Sequence, residues 1–535
     1  MTRASFIGAA VIAMVAFANP AIAQKSGGIL KVHLLDSPAS MSIHEEATVV
    51  AERPVMAVFN NLVYFDQHIP QNRMDTIRPE LATSWSWNEE GTELTFQLRH
   101  GVKWHDGQPF AAADVKCTWD LLTGRSADKL RVNPRKAWYV NLADVKTSGD
   151  DRVTFVLKRP QPAFIMLLAS GMSPVYPCHV TAAQMRQHPI GTGPFKFVEF
   201  KPNESIKLVK NPDYWKPGLP YLDGIEYTVS RNRSTIILAF IAGQYDLTFA
   251  GSVSVPLMHD IEKQRPDATC ILPGGSVSTN LVVNREKPPF DNPDLRRAMA
   301  LTIDRKSFID ILTEGTGLQA AAMQPPQGAD GTKGGVWGMP RDMLEKLPGY
   351  DPDIAKNRAE ARSIMQKLGY GPDNRLKVTV VTRDIPAYRD PAVILIDQLK
   401  EIYIDGELKP IDTTQWYPTM FRKDYMVALN LTGTMVDDPD AMFYENYACG
   451  GIGNYGGYCS PEVDKLIDQQ SMEPDQEKRK HLVWEIERRL TEDIAKPLVY
   501  FNKGATCWQH DVKNETVMVN SIYNGWRMED LWLDR

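Results

Sequence analysis

Residues 79–120 constrain the fold more than any other stretch of this chain, because strand and turn signals crowd together there. Leu94, Phe96 and Leu98 alternate with polar residues, which is the period-two pattern of a half-buried strand. An Asp-Gly dipeptide then marks a turn, and Asp114 precedes an apolar helical run that it can cap. The segment therefore predicts β structure followed by a helix, and it contains no catalytic group.

Length and charge narrow the class of protein. A chain of 535 residues is several times longer than a typical domain, so we expect at least two lobes, whose cores a hydrophobic content of 43% can supply. The formal net charge of −6 lacks the basic excess that binding to a phosphate backbone requires. Nucleic acid is therefore not an expected partner.

Residues 1–23 have the pattern of a secretory leader. Arg3 gives a positive start, an apolar run covers residues 6–18, and a small-residue cleavage motif ends at Ala23. No later stretch is apolar enough for a membrane span. The residue directly after the leader is not a Cys, so it offers no site for lipid attachment. We expect an exported, unanchored protein in the periplasm of a double-membraned bacterium.

Strand-like segments alternate with helices whose starts are marked by an acidic cap and a proline. The strands are expected at residues 28–34, 153–158 and 376–382. The helices are expected to open at Asp291-Asn292-Pro293, Asp351-Pro352 and Asp390-Pro391. This alternation indicates α/β lobes.

Catalytic motifs are missing from the sequence. It contains no G-x-S-x-G, no P-loop, no H-E-x-x-H and no dinucleotide fingerprint. We therefore expect no enzymatic activity, no cofactor and no metal site.

The string at residues 79–120 closely resembles the signature of the family 5 extracellular solute-binding proteins, the dipeptide-, oligopeptide- and nickel-binding components of ABC importers. Further segments resemble that family along nearly the whole mature chain, from about residue 31 to residue 532. They are GTGPF at 191–195, NPDYW at 211–215, FDNPDLRRAMALTIDR at 290–305 and the helix at 350–370.

The resemblance implies an α/β, bilobal periplasmic-binding-protein (venus-flytrap) fold with an extra inserted subdomain in the first lobe. The implied division is residues 24–63 with 190–276 and 505–535 for lobe I, 64–189 for the inserted subdomain, and 277–504 for lobe II. Two crossings between the lobes are expected near Gly274-Gly275 and Asn502–Gly504, where glycine permits hinge dihedrals.

The implied function is capture of a small peptide or a peptide-like or opine-like solute between the lobes. A monomer would deliver it to the transmembrane subunits of an ABC permease, which are separate chains. A sugar or a metal chelate is an alternative solute within the same family. An exported hydrolase or a chaperone using the same cleft is the alternative from another class of protein.

The acidic segment around Asp437 and Asp438 has three interpretations. It is typical of a turn with a helix cap, it can face the solute, or it can bind calcium. In the family this stretch reaches the ligand, so we include Thr434 and Met435 as candidate contacts. Met435 occupies the position where peptide-binding relatives carry an Asp that pairs with the free amine. We therefore expect a solute that is not held by that contact.

Other candidate contacts come from both lobes. Arg383, Tyr388 and Trp416 lie at predicted strand ends and loops of lobe II, and Arg383 suits either a solute carboxylate or an ion pair within the protein. Further candidates are Ser40 and Met41, in a segment that resembles the ligand-reaching part of lobe I, and Tyr455, as a cleft wall or as packing inside a loop.

The 6 Cys of an exported chain favour disulfides. With the implied division of the chain, we expect Cys117–Cys178 within the inserted subdomain and Cys449–Cys459 around a Gly-rich loop. The third pair, Cys270–Cys507, is expected beside the two lobe crossings.

Overall fold

The computed structural model of the protein describes residues 24–326 and 334–535, so the expected leader at residues 1–23 lies outside the described residues. Its strands, in chain order, are β1 Ile29–Leu34, β2 Val63–Phe65, β3 Ile77–Pro79, β4 Ala82–Trp87, β5 Glu93–Leu98, β6 Leu142–Ser148, β7 Arg152–Leu157, β8 Phe195–Lys201, β9 Ser205–Lys210, β10 Gly224–Val229, β11 Thr269–Ile271, β12 Val277–Val283, β13 Leu376–Arg383, β14 Ile404–Ile411, β15 Val427–Gly433, β16 Leu498–Asn502, β17 Thr506–Trp508, β18 Val512–Lys513 and β19 Trp532–Leu533.

The α-helices alternate with these strands along the chain. They are α1 Val49–Met56, α2 Ala112–Leu122, α3 Phe164–Ala169, α4 Ala182–Met185, α5 Arg233–Ile241, α6 Val255–Gln264, α7 Pro293–Leu301, α8 Arg305–Thr313, α9 Arg341–Leu344, α10 Ile354–Lys367, α11 Pro386–Lys400, α12 Thr413–Phe421, α13 Pro439–Asn446, α14 Pro461–Met472 and α15 Gln476–Glu492.

Two sheets form the cores of two lobes. The first sheet has the strand order β1-β10-β9-β8, and β1 runs parallel to β10 while the other neighbours are antiparallel. The second has the order β14-β13-β15-β12-β16, with β13 parallel to both β14 and β15. Because alternate residues of each strand face the helices, each sheet builds its own apolar core.

A second four-stranded sheet, β4-β5-β7-β6, forms the extra subdomain beside the first lobe. Leu94, Phe96 and Leu98 are buried in it, which confirms the predicted strand. The helix that follows begins at Ala112 with Ala111 at its N-cap, so the cap position predicted at Asp114 was wrong by three residues. Asp114 still satisfies the helix start, because its carboxylate accepts from the backbone N–H of Ala111 at 3.0 Å. The predicted fold class is confirmed: a bilobal α/β protein with an extra subdomain.

The starts of three helices in the second lobe agree to different degrees with the prolines from which they were predicted. α7 begins at Pro293, as predicted, with Asn292 as its cap. α10 begins at Ile354 with Asp353 as its cap, two residues later than the proline signal suggested. α11 begins at Pro386, so the start predicted at Pro391 was wrong. Pro391 lies inside that helix, where it lacks the N–H that would bond to a carbonyl four residues earlier.

Two short segments connect the lobes, one between β11 and β12 and the other between β16 and β17. Their glycines are required by close packing rather than by a left-handed backbone, since neither Gly275 nor Gly504 has a positive φ. A Cβ on Gly504 would lie 1.9 Å from the carbonyl oxygen of Gly251. The segment at Gly504 therefore packs directly against the backbone of the first lobe.

The three predicted disulfides are confirmed: Cys117–Cys178, Cys270–Cys507 and Cys449–Cys459. Cys270 and Cys507 are direct neighbours across the antiparallel β11–β17 ladder, immediately beside the two connecting segments.

Candidate binding cavity between the lobes

A cavity of about 250 Å³ lies where the two lobes meet. The first lobe contributes residues after β1, the start of α1 and the loop at 249–252, and both connecting segments close one side. The second lobe contributes the β13–α11 junction, the end of β15 and the end of α13. The cavity is therefore built from strand ends and adjoining loops of both sheets, which is where open α/β sheets commonly bind their ligands.

Four of the residues predicted from sequence line this cavity: Arg383, Tyr388, Met435 and Tyr455. The other six, Ser40, Met41, Trp416, Thr434, Asp437 and Asp438, are not among its described lining residues. Four of the ten predicted residues are therefore exposed to the cavity, and the other six lie outside its lining.

Arg383 ends β13 and is held by the first lobe. Its Nη2 donates to Asp36 Oδ2 at 2.9 Å, and its Nε donates to Thr413 Oγ1 at 2.6 Å. The guanidinium carbon lies 5.6 Å from the centre of the Tyr388 ring, and the arginine side chain is only 4% exposed. Of its two interpretations from sequence, the ion pair within the protein is the one present in this structure.

The acidic segment forms a turn and a helix cap. Asp438 is the N-cap of α13, and both of its carboxylate oxygens accept from Arg479 at 2.7 Å. Asp437 accepts from Asn520 Nδ2 at 3.2 Å, and burial raises its pKa to about 7. Both carboxyl groups are thus buried against protein groups. Within the residues that the structure describes, no group of three or more His, Cys, Asp or Glu side chains is arranged to hold a metal ion.

The remaining predicted residues have structural contacts. Ser40 Oγ donates to Glu46 Oε1 at 2.8 Å, and Met41 is fully buried in the core of the first lobe. Trp416 is fully buried and lies 6.1 Å from Tyr388, ring centre to ring centre, so it supports a cavity wall. The backbone N–H of Thr434 donates to the Ser276 carbonyl at 2.7 Å and joins β15 to a connecting segment.

Sequence reasoning missed several cavity residues. Asp36, two residues after the end of β1, is not itself a described lining residue, but it accepts from two residues that are: Arg231 at 2.7 Å and Arg383 at 2.9 Å. Glu445 lines the cavity from α13, a helix whose other residues are all buried. Burial raises the pKa of Glu445 to about 7, against the opposing influence of Arg135 and Lys496. One sequence signal was available: a single carboxylate at the end of the apolar run of α13.

Other ion pairs also cross between the lobes near the cavity. Arg231 of the first lobe lies 3.3 Å from Asp412 of the second, and Arg233 lies 3.4 Å from Asp390. Unlike the Asp36–Arg383 pair, these two are partly exposed. Near the cavity, the lobes therefore meet through a buried ion pair and a more solvated rim.

Comparisons with known proteins agree with this architecture. The model of the family described as "Bacterial extracellular solute-binding proteins, family 5 Middle" matches residues 76–454. The chain is 26% identical to "Di/tripeptide-binding protein 1" of Pseudomonas aeruginosa (strain UCBPP-PA14), over 97% of this chain and 96% of that protein. It is 24% identical to "Probable deoxycholate-binding periplasmic protein YgiS" of Escherichia coli (strain K12), over 87% and 86% of the two chains.

Among solved structures, the periplasmic binding protein DppA from Helicobacter pylori, in complex with the peptide STSA, superposes with a TM-score of 0.82. It is 21% identical, and the match covers 96% of this chain and 99% of that one. Among the residues that the structure describes here, every helix falls short of the length and apolar character needed to cross a membrane. The chain belongs to the family 5 bacterial extracellular solute-binding proteins.

Proposed function

We propose that this protein is the periplasmic receptor of an ABC importer, which closes its lobes on a small peptide or peptide-like solute. It then delivers the solute, without chemical change, to permease subunits that are separate chains. The observation that carries the proposal is the cavity of about 250 Å³ between the lobes, closed by the buried Asp36–Arg383 pair. Such a closed, largely preformed cavity is typical of a site for a small solute.

The size and charge of the cavity support a short peptide-like solute. Its volume lies near the lower end of the roughly 300–1,000 Å³ common for small-molecule sites, which favours a dipeptide or tripeptide over a long peptide. Arginines and two carboxylates line it, as a zwitterionic solute requires. The name of the first relative supports the same class, whereas the name of the second suits an amphipathic anion and gives the main alternative.

We also propose that the lobes follow the division predicted from sequence, with residues 24–63, 190–276 and 505–535 in lobe I and 277–504 in lobe II. Strand pairing supports this division, because β12–β16 pair only among themselves and the strands β4–β7 form their own sheet within residues 64–189. The two connecting segments would then act as the hinge.

Localisation and assembly complete the proposal. The leader-like residues 1–23 and the periplasmic relative support export to the periplasm, with a mature chain that starts at Gln24 and acts as a monomer. An exported hydrolase or a chaperone is the rival function. Measurement of solute before and after incubation separates these, because a receptor returns its solute intact.

The test is a thermal-shift screen of the purified mature protein. The compounds are dipeptides, tripeptides, opine-like conjugates, sugars, metal chelates and deoxycholate, and native mass spectrometry identifies any solute that copurifies. A solute at 100 times its Kd adds about 2.7 kcal/mol to the stability of the folded state. We expect short peptides to raise Tm and to reduce the radius of gyration in small-angle scattering. Turnover of the solute, or a shift with deoxycholate alone, would contradict the peptide-receptor proposal.

A further inference from the structure

The acidic side chains of the cavity are not equivalent. Of the described residues that line it, Asp390 and Glu445 are the acidic ones. Asp390 pairs with Arg233 at 3.4 Å, whereas Glu445 has no salt bridge to any described residue. A carboxylate that faces a binding cavity without an ion-pair partner can take one from the solute.

The two cations that act electrostatically on Glu445, Arg135 and Lys496, form their hydrogen bonds with other groups. Lys496 Nζ donates to Asn446 Oδ1 at 2.9 Å and to Thr432 Oγ1 at 3.4 Å. Arg135 donates to the backbone carbonyls of Glu46, at 3.0 Å, and of Ile43. Both cations still act on Glu445 through space, but their hydrogen bonds hold them to the protein frame.

Arg135 is shared among several carboxyl groups. The carboxyl groups of Glu46, Glu52 and Glu445 all interact electrostatically with this one arginine. Burial raises the pKa of each of these carboxyls despite the arginine. Lys496 compensates little, because burial lowers its pKa to about 7. Neither Arg135 nor Lys496 is therefore an exclusive partner of the Glu445 carboxyl.

The walls around Glu445 also suit a cation. Tyr417, Tyr455 and Tyr523 line the cavity and lie close enough to the Glu445 carboxyl to interact with it electrostatically. Aromatic faces attract ammonium and guanidinium groups. Asn430 lines the same cavity from β15, and its Oδ1 has no hydrogen-bond partner among the described residues. This leaves a second acceptor for a group that carries several N–H donors.

We infer that Glu445 binds the cationic group of the solute, an ammonium or a guanidinium, and thereby selects solutes that carry one. The inference rests on the proposed function, because it assigns a specificity residue within the same cavity. It names the chemistry of one end of the solute and leaves the remaining contacts to the rest of the cavity.

The test compares wild type with Glu445→Gln, which keeps the size of the side chain and removes its charge. The probes are Ala-Ala, Ala-Phe and Ala-Ala-Ala, the N-acetyl form of each, and the non-peptide cations agmatine and spermidine, all measured by calorimetry. We expect Glu445→Gln to weaken binding of the free-amine probes by about 30-fold or more and to leave N-acetyl peptides unchanged. Glu407→Gln, on the exposed surface of β14, is the matched control and should bind like wild type.

The outcomes separate the inference from the proposed function. Two outcomes overturn the inference but agree with a peptide receptor. In the first, wild type binds a peptide equally well with and without a free amine. In the second, Glu445→Gln weakens binding of the free and the N-acetyl peptide to the same extent. If agmatine or spermidine binds in a Glu445-dependent manner and no peptide binds, the inference holds and the proposal that the solute is a peptide is rejected. Binding of none of the probes to a wild type that melts cooperatively overturns both.

Discussion

At the scale of single residues, the partner of a charged group decides its role. The sequence places Arg383 at a strand end and leaves two partners open, a solute carboxylate or a protein carboxylate. In the fold, Asp36 supplies that carboxylate from 347 positions away in the chain. The guanidinium is thus occupied before any solute arrives, and its first contribution is to the contact between the lobes.

Replacing Arg383 with Ala should destabilise the protein even without solute. Asp36 would keep Arg231 but lose its buried partner, so we expect the free energy of unfolding to fall by roughly 3 kcal/mol. Chemical denaturation of the solute-free protein measures this. Arg389→Ala, which removes an exposed pair with Asp384, should change stability by less than about 1 kcal/mol. Equal stability of Arg383→Ala and wild type would contradict the structural role.

Asp437 should make stability depend on pH. Burial raises its pKa from 3.8 to about 7, so the folded protein holds a proton that the unfolded chain has already lost. The contribution of Asp437 to stability must therefore fall as pH rises from 4 through 7. Asp437→Asn cannot ionise, so its stability relative to wild type should rise by up to about 4 kcal/mol between pH 4 and pH 8. Denaturation at both pH values tests this, with exposed Asp384→Asn as the control.

At the scale of elements, local signals work where one signal dominates. Asn292-Pro293 opens α7 as predicted, because cap and proline act at the same turn. In α11 two prolines compete, and Pro386 begins the helix while Pro391 lies within it. Sequence alone could not rank them, since both fit a first helical turn, and packing of the helix against the second sheet settles the start.

The disulfides should differ in their effect on stability. In the chain-entropy model, the bond between Cys270 and Cys507 constrains a loop of 237 residues, whereas that between Cys449 and Cys459 constrains one of 10. Double substitution to Ala should therefore cost about 5 kcal/mol for the first pair and about 3 kcal/mol for the second. Denaturant unfolding of the two double variants gives the order. A larger loss for the short loop would show that native contacts outweigh chain entropy here.

At the scale of the whole molecule, buried polar contacts and partly exposed ion pairs both hold the two lobes together. Asp36–Arg383 is a buried ion pair, and buried hydrogen bonds join Gln161 to Asp440 and Asn520 to Asp437. The pairs Arg231–Asp412 and Arg233–Asp390 are partly exposed. Exposed pairs contribute little, so the balance between open and closed forms should depend mainly on the buried contacts, and the Asp36–Arg383 pair is one of them.

Asp36→Asn should therefore shift the solute-free protein toward an open form. A loss of about 1.4 kcal/mol in closure changes the ratio of closed to open by about tenfold. Small-angle scattering should show a larger radius of gyration than wild type, and saturating solute should reverse the difference. Asp412→Asn, at the exposed rim, is the control and should scatter like wild type. An unchanged radius for Asp36→Asn would mean that other contacts hold the lobes.

The sequence by itself determined several of the elements, the family and, through the family resemblance, the three disulfides of this protein. Strand alternation around Phe96, cap and proline signals such as Asn292-Pro293, and ordered family segments are local, so the chain carries them without reference to the fold. The tertiary structure decided which charges face the cavity. Asp438 lies two residues before Asp440 and both bond Arg479, yet Glu445 further along the same helix points toward the cavity. The reason is physical: a carboxylate is available to a solute only if no protein cation forms a salt bridge with it, and those cations come from distant parts of the chain.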